Sequence, residues 1–357
     1  MGGLFAQLPD LSDSPGARFD LTRFTQLRHV GRVPSDPPRP DLSYLPSSDC
    51  DTMSHMLRFI TAGLLLLASP VLVGQARPSA AGLQTPGKPS ADKPRTPRLY
   101  IFDCGTLDVA DTGRFRLKRE EVTTDKLSVG CYLVAHPRGT MIWDTGAVPD
   151  AMVMPGGAPV RYRIALPDAQ ERFVTLAKSL KTQLAEAGYK PADVTHVVLS
   201  HYHYDHSANT NDFASATWLV RQVERDAMFA AKPPDLVLPS TYSALRGSKT
   251  TIIKTDDHDV FGDGTVVIKF APGHTPGHQV LSLKLANTGR VVLSGDLYHY
   301  PEERRLGRIP TFDDNQEQTA KTRLALDAFL KQNAAQLWIQ HDYTASAKLK
   351  KAPQYYD

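Results

Sequence analysis

The densest chemistry in the chain is the run Ser200-His201-Tyr202-His203-Tyr204-Asp205-His206, which sets three imidazoles and a carboxylate within six positions. Neutral imidazole and carboxylate are natural ligands of zinc and similar divalent ions, and four such side chains so close together are seldom accidental. If a strand ran on through the segment, His201, His203 and Asp205 would face one way. A turn after the strand would instead let His206 come round beside them. Further candidates stand downstream. Ala271-Pro272-Gly273-His274-Thr275-Pro276-Gly277-His278 follows the apolar run Val266–Phe270, Ser294-Gly295-Asp296 follows Arg290–Leu293, and His341-Asp342 follows Trp338-Ile339-Gln340. Each time an apolar run ends, a His or Asp appears, as when a site is built on the rim of a sheet.

The elements that must position these residues begin near Arg98. Leu99–Phe102, Val129–Ala135 and Thr140–Asp144 are β-branched and apolar runs bounded by Gly, Pro or Asp, and read as strands. His136-Pro137-Arg138-Gly139 is turn chemistry between the second and third. A helix is expected over Asp168–Ala187, where Phe173, Leu176, Ala177, Leu180, Leu184 and Ala187 recur at three- and four-residue steps, with Gly188 and Pro191 closing it. Val194–Ser200 reads as a buried strand that opens into the His-rich run. A second strand block spans Val266–Leu293 with a turn at Asn287–Gly289, and a helix over Gln316–Asn333 feeds a strand at Gln336–Gln340. Strands, helix and strand, twice over, predict two sheets with helices outside.

The first hundred residues read differently. Residues 1–55 form an extension rich in Pro, Asp, Ser and Arg; 56–76 is a signal-peptide pattern, with Arg58 before a 16-residue apolar run (Phe59–Gly74) and a small-residue exit. That run is short for a membrane span, which needs about 20 apolar residues. Translation starting at Met53 or Met56 would make the extension an upstream stretch; the alternative is a disordered arm before an uncleaved anchor. Residues 77–97 read as a flexible linker, 98–350 as the catalytic domain and 351–357 as a tail. The reading is therefore a periplasmic or secreted protein with no stable membrane span after cleavage. In such a compartment Cys104 and Cys131 could pair, or they could be two buried thiols. With 357 residues, 41% hydrophobic, 22% charged and a net charge of +3, the chain can bury a sizeable core and carries no strong basic signature of a nucleic-acid binder.

The run His201–His206, with His274, Asp296 and His341 in order behind it, resembles the metallo-β-lactamase superfamily, and more closely its N-acyl homoserine lactonase branch. The spacings of 22 residues from His274 to Asp296 and 45 from Asp296 to His341 are similar to that branch, and Trp143-Asp144-Thr145-Gly146 resembles an early turn of the fold. The resemblance covers roughly Arg98 to Lys350. It implies an α/β fold, a four-layer αββα sandwich of two mixed β-sheets with helices on the outside. It also implies two Zn2+ per chain, although manganese, iron or cobalt suit the same donors. His201, His203 and His274 would hold one ion, Asp205, His206 and His341 the other, with Asp296 bridging. A hydroxide bridging the ions would then attack the ester carbon of a small-molecule lactone, a quorum-quenching activity.

By the same resemblance Asp205 would relay a proton to the leaving group. Asp144 and His278 would orient ligands through hydrogen bonds, or serve only as turn and cap residues. The branch places a tyrosine three residues after the bridging aspartate; here that position is His299, flanked by Tyr298 and Tyr300. Tyr298 is ranked first as the donor to the substrate carbonyl, with His299 or Tyr300 as its replacement. The loop Val148–Ala165, with Met152 and Met154, would roof the site and bind an acyl chain, or be a surface loop. A β-lactamase, or a thioester or phosphodiester hydrolase of the same fold, is the alternative function. The third lactamase subclass shares the His-x-His-x-Asp-His run but lacks the bridging carboxylate, so Asp296 favours the lactonase. A binding module without catalysis is the remaining alternative, and the full ligand set argues against it. A homodimer is left open.

Overall fold

The computed structural model of the protein describes residues 93–166 and 171–357. The expected extension, signal segment and most of the linker lie outside these residues. Nine strands form one sheet: β1 (Arg98–Asp108), β2 (Lys126–His136), β3 (Gly139–Trp143), β4 (Val160–Ala165), β5 (Glu171–Leu176), β6 (His196–Val198), β7 (Thr217–Val220), β8 (Thr250–Ile252) and, at the chain end, β14 (Tyr355–Tyr356). Their order is β4-β5-β1-β2-β3-β6-β7-β8, with β14 paired to the start of β1. The second sheet runs β13-β12-β11-β10-β9, from β9 (Asp257–Asp259), β10 (Val266–Phe270), β11 (Gln279–Leu285), β12 (Gly289–Leu293) and β13 (Gln336–Trp338). Both sheets mix parallel and antiparallel pairs.

Alternation along the strands creates the layers. Leu99, Ile101, Tyr132, Val134, Met141 and Trp143 face Ile268, Leu281, Leu283, Val291 and Leu293 across the apolar interior between the sheets. The opposite face of the first sheet, with Tyr100, Phe102, Leu133 and Val197, packs with α1 (Leu180–Glu186) through Leu180 and Leu184. Met228 of α3 (Gln222–Met228) and Tyr242 of α4 (Pro239–Tyr242) join that cluster, while α2 (Tyr204–Ser207) follows β6. Behind the second sheet, Val280 and Val292 pack on Leu326 and Leu330 of α6 (Gln316–Gln332). The connections before and after α6 carry α5 (Pro301–Leu306) and α7 (Tyr343–Ser346). The result is the four-layer αββα arrangement.

One element departs from the sequence reading. The stretch expected to be a single helix over Asp168–Ala187 is, where described, β5 followed by α1. Arg172-Phe173-Val174-Thr175-Leu176 pairs along β4 from Val160↔Leu176 to Ala165↔Glu171, and Val174 also pairs with Leu107 of β1. Alternate residues Val174 and Leu176 are buried, a period of two that three- and four-residue spacing had overwritten. The helix begins only after Ser179, whose hydroxyl accepts from the Thr182 amide.

Cys104 and Cys131 form a disulfide, with Cα atoms 5.9 Å apart on the neighbouring strands β1 and β2. It closes a 27-residue separation, so the chain-entropy model assigns it about 3.5 kcal/mol. Reduction, or a Cys104→Ser and Cys131→Ser double variant, is expected to lower the unfolding free energy by roughly 2–5 kcal/mol in a denaturant titration. An unchanged midpoint would show that the strand pairing alone fixes this corner.

Candidate dinuclear metal centre

The site lies where β3, β6, β10 and β12 end and their backbones leave the sheets. β6 stops at Val198, two residues before the His-rich run, so His201, His203 and Asp205 do not lie on one strand face. His203 keeps extended backbone (φ −61°, ψ 155°) as the cap of α2, and the single turn of α2 carries Asp205 and His206 back toward the sheet. The segment is thereby split between two groups of donors: His201, His203, His274 and Asp296 in one, Asp205, His206 and His341 in the other, each within 4.8 Å. All seven expected ligands are buried, and the structure brings all seven together.

Asp296 lies between the groups. Its Oδ2 is 3.5 Å from His201 Nε2 and 3.4 Å from His274 Nε2, while its Oδ1 is 3.0 Å from both His206 Nε2 and His341 Nε2. The preceding Gly295 has φ +49°, and a Cβ there would stand 2.6 Å from His278 Nε2, so only glycine lets the carboxylate approach. Burial alone would raise the Asp296 pKa; the imidazoles of His206, His341 and His201 reverse the sign and hold it well below the usual carboxylate range.

Four of the five imidazoles are oriented from behind. His206 Nδ1 is 2.9 Å from Asp144 Oδ2, His274 Nδ1 2.9 Å from Asp313 Oδ1, and His341 Nδ1 2.7 Å from the Ser128 carbonyl. His201 Nδ1 lies 3.1 Å from Ser200 Oγ. With Nδ1 engaged, the Nε2 atoms of these four rings point inward. His203 is the exception and presents Nδ1, 2.8 Å from His201 Nε2 and 3.1 Å from His274 Nε2. Burial, and then the neighbouring rings, push His201 and His203 well below the usual histidine pKa, which leaves them neutral and able to ligate. Asp296 Oδ1 is buried without a hydrogen-bond partner although two ring nitrogens face it. Nitrogen and oxygen lone pairs gathered this closely fit two shared cations better than they fit one another.

Asp144 and His278 stand behind the ligands. Asp144, in left-handed backbone (φ +57°), receives the Ser200 amide on Oδ1 and the Gln340 side-chain amide on Oδ2. Gln340 Oε1 in turn accepts from Trp143 Nε1 and the Gly295 amide, so one side chain links the elements of His206, Asp296 and His341. His278 sits opposite the Ala271 carbonyl through Nδ1 and accepts the Asp296 amide on Nε2. Burial pushes its pKa down to about 3, in keeping with that acceptor role. The sequence reading missed Asp313 and Gln340.

The residues after Asp296 are placed otherwise than expected. Tyr298 is packed with Val280, Val292 and Leu326 under α6, its ring beneath the Arg323 guanidinium, and it does not line the cavity. Tyr300 also lies outside the cavity, edge-on behind Phe115. Extended backbone at Tyr298 and Tyr300 turns alternate side chains away, and His299 is the one that faces in. Its Nε2 is 3.1 Å from Asp296 Oδ2 and its Nδ1 3.3 Å from Glu303 Oε1, and Glu303 pairs with Arg323 at 2.8 Å. Burial opposes protonation of His299, but Glu303 and Asp296 outweigh it and push the pKa up to about 10.

A cavity of about 150 Å³ opens over His203, Asp205, Asp296 and His299. Leu107, Val109, Phe115, Leu127, Leu236 and Phe312 form its apolar wall. Met152 and Met154, expected to roof the site, are exposed and do not line the cavity. Their segment is held elsewhere: Asn209 binds the Val148 carbonyl and the Asp150 amide, the Asp150 carboxylate accepts from the Leu180 and Lys181 amides, and Tyr162 receives the Met154 amide.

Residues 124–339 match the model of the metallo-β-lactamase superfamily. The chain belongs to that superfamily. Within it the resemblance is to the N-acyl homoserine lactonases. The lactonase AttM of Azorhizobium caulinodans is 28% identical over 267 residues, covering 73% of this chain and 98% of AttM. The lactonase AiiA of Bacillus thuringiensis subsp. kurstaki is 26% identical over 237 residues, covering 64% of this chain and 87% of its own. A solved N-acyl homoserine lactone hydrolase, holding the product N-hexanoyl-L-homoserine at its catalytic metal centre, superposes with a TM-score of 0.60 at 22% identity over 72% of this chain and 98% of its own. This last likeness speaks to the fold. As a superfamily member with this donor set, the protein is a metal-dependent hydrolase with a site for two metal ions. No described helix is long and apolar enough to cross a membrane.

Proposed function

We propose that the protein opens the lactone ring of N-acyl homoserine lactones, with two Zn2+ as its resident ions. The observation that carries this reading is the pairing of Asp296, shared between the two donor groups, with an apolar-walled cavity directly above it. A lactone head over the ions and an acyl tail along Leu107, Val109, Phe115 and Phe312 match that division. The nitrogen and carboxylate donors suit zinc. When bound, two such ions supply Lewis acidity and activate water near neutral pH.

The chain's own groups do the rest. Asp205, on the cavity floor, accepts the proton released as the water oxygen bonds to the ester carbon, and returns it to the ring oxygen as the carbon–oxygen bond breaks. His299 donates from Nε2 to the carbonyl oxygen, held at its back by Glu303. The apolar wall excludes water from the acyl side. If that wall binds the tail, kcat/KM over a C6–C12 acyl series rises with chain length, by at most about fourfold for each methylene buried, until the cavity is filled. A flat series would remove the acyl tail from the recognition.

We also propose export to an oxidising compartment, periplasmic or secreted. The Cys104–Cys131 bond supports it, because disulfides persist where thiols are not kept reduced, and so does the apolar run Phe59–Gly74. N-terminal sequencing of protein from its native host should read a start near residue 77; a start near residue 1 contradicts export by cleavage.

A further inference from the structure

Outside the ligand set, Glu224 is the buried acid with the most unusual surroundings. It lies in the first turn of α3 and is 4% exposed. Its carboxylate is engaged by donors from both loops that carry the histidines of the first group. Oε1 accepts the Tyr202 amide at 3.0 Å, between His201 and His203. Both oxygens receive the Thr275 hydroxyl at 2.9 Å, next to His274, and Oε2 accepts the Gly277 amide at 2.8 Å. At Gly277 a Cβ would stand 2.5 Å from Glu224 Cβ, so the glycine permits the approach.

Among the described residues no Lys or Arg forms an ion pair with Glu224. A buried carboxylate without a counter-cation is costly, and burial raises its pKa to about 7 despite the three sets of donors. A glutamine could not replace it cheaply. Every partner is a donor, while an amide offers one accepting oxygen and would turn its NH2 toward an N–H or O–H. Oε1 holds the Tyr202 amide and the Thr275 hydroxyl together, Oε2 adds the Gly277 amide, and a glutamine would give up one of these two oxygens. The compensating positive charge would come from the ion those loops hold.

We infer that Glu224 is a positioning residue of the metal centre, clamping the His201–His203 segment to the His274 loop and so setting the metal affinity of that half alone. Asp205, His206 and His341 are reached by none of its hydrogen bonds, so the effect is one-sided. The inference rests on the metal centre and not on the lactone as substrate, and its test uses no substrate.

The probe is Co2+ affinity, measured by chelator competition in two backgrounds. His341→Ala leaves the first group to bind, and His274→Ala leaves the second. Adding Glu224→Gln to His341→Ala is expected to weaken Co2+ binding about 10–100-fold, the usual range for groups that orient ligands. Adding it to His274→Ala is expected to change nothing measurable. Equal loss in both backgrounds, or no loss in either, overturns the inference. Should Glu224→Gln fail to fold, Thr275→Val keeps the carboxylate and removes one donor. The same one-sided loss, smaller in size, is expected from it; an even loss or none overturns the inference as well.

Discussion

Asp296→Ala is expected to lower kcat/KM by about a thousandfold or more and to take the bound metal from two ions per chain to one or none. The magnitude follows from the position of the carboxylate. One oxygen faces His201 and His274, the other faces His206 and His341. Its loss leaves each half a ligand short and brings buried rings together with no negative charge between them. Several kcal/mol of transition-state stabilisation from the paired ions would go with it, and about 4 kcal/mol is a thousandfold in rate. Metal analysis beside steady-state kinetics checks both parts. A variant that keeps two ions and its rate would show that Asp296 does not join the two halves.

The second large effect is expected at His299. Replacement by Ala should lower kcat about 100–1000-fold, the range seen when a donor to a developing oxyanion is removed. Tyr298→Phe should leave kcat essentially unchanged, because the Tyr298 ring is packed under α6 beneath Arg323, away from the cavity. The pair of variants separates two arrangements that the sequence left open. In the lactonase pattern a tyrosine holds this position; here the imidazole faces the cavity between Phe115 and Phe312, with ring centroids 5.0 and 5.5 Å away. Loss of activity in Tyr298→Phe with none in His299→Ala would reverse the assignment.

The seven clustered donors were legible in the sequence because they combine two local signals, a ligand-type side chain and the end of an apolar run. The strand ends at Val198, Phe270, Leu293 and Trp338 each lie within a few residues of a ligand. Which donor joins which group was not a matter of spacing but of α2, whose single turn sends Asp205 and His206 to the other group. Residues acting from behind were harder to see. Asp313 lies 39 positions from the ring it orients and just before the Asn315 cap of α6, where an acid reads as ordinary helix-start chemistry. Gln340 and Glu224 are single polar residues whose partners come together only in the folded chain. The alternation at Tyr298-His299-Tyr300 decides which of the three faces the cavity, but its phase depended on the short turn Gly295–Leu297. At Asp168–Ala187 two periods overlapped, and Ser179 was the mark that separated strand from helix. The methionines of the Val148–Ala165 stretch suggested an acyl contact by type alone, whereas Asn209 and Asp150 decide where they lie.

Lactone opening over a two-metal site is decided on one purified preparation spanning residues 77–357, with its metal quantified. N-decanoyl homoserine lactone, a penicillin and a carbapenem are offered in parallel, and ring opening is followed for each. The expected result is two ions per chain and a kcat/KM on the lactone well above that on either lactam. Lactam hydrolysis as fast as or faster than lactone opening, with both ions bound, would contradict it.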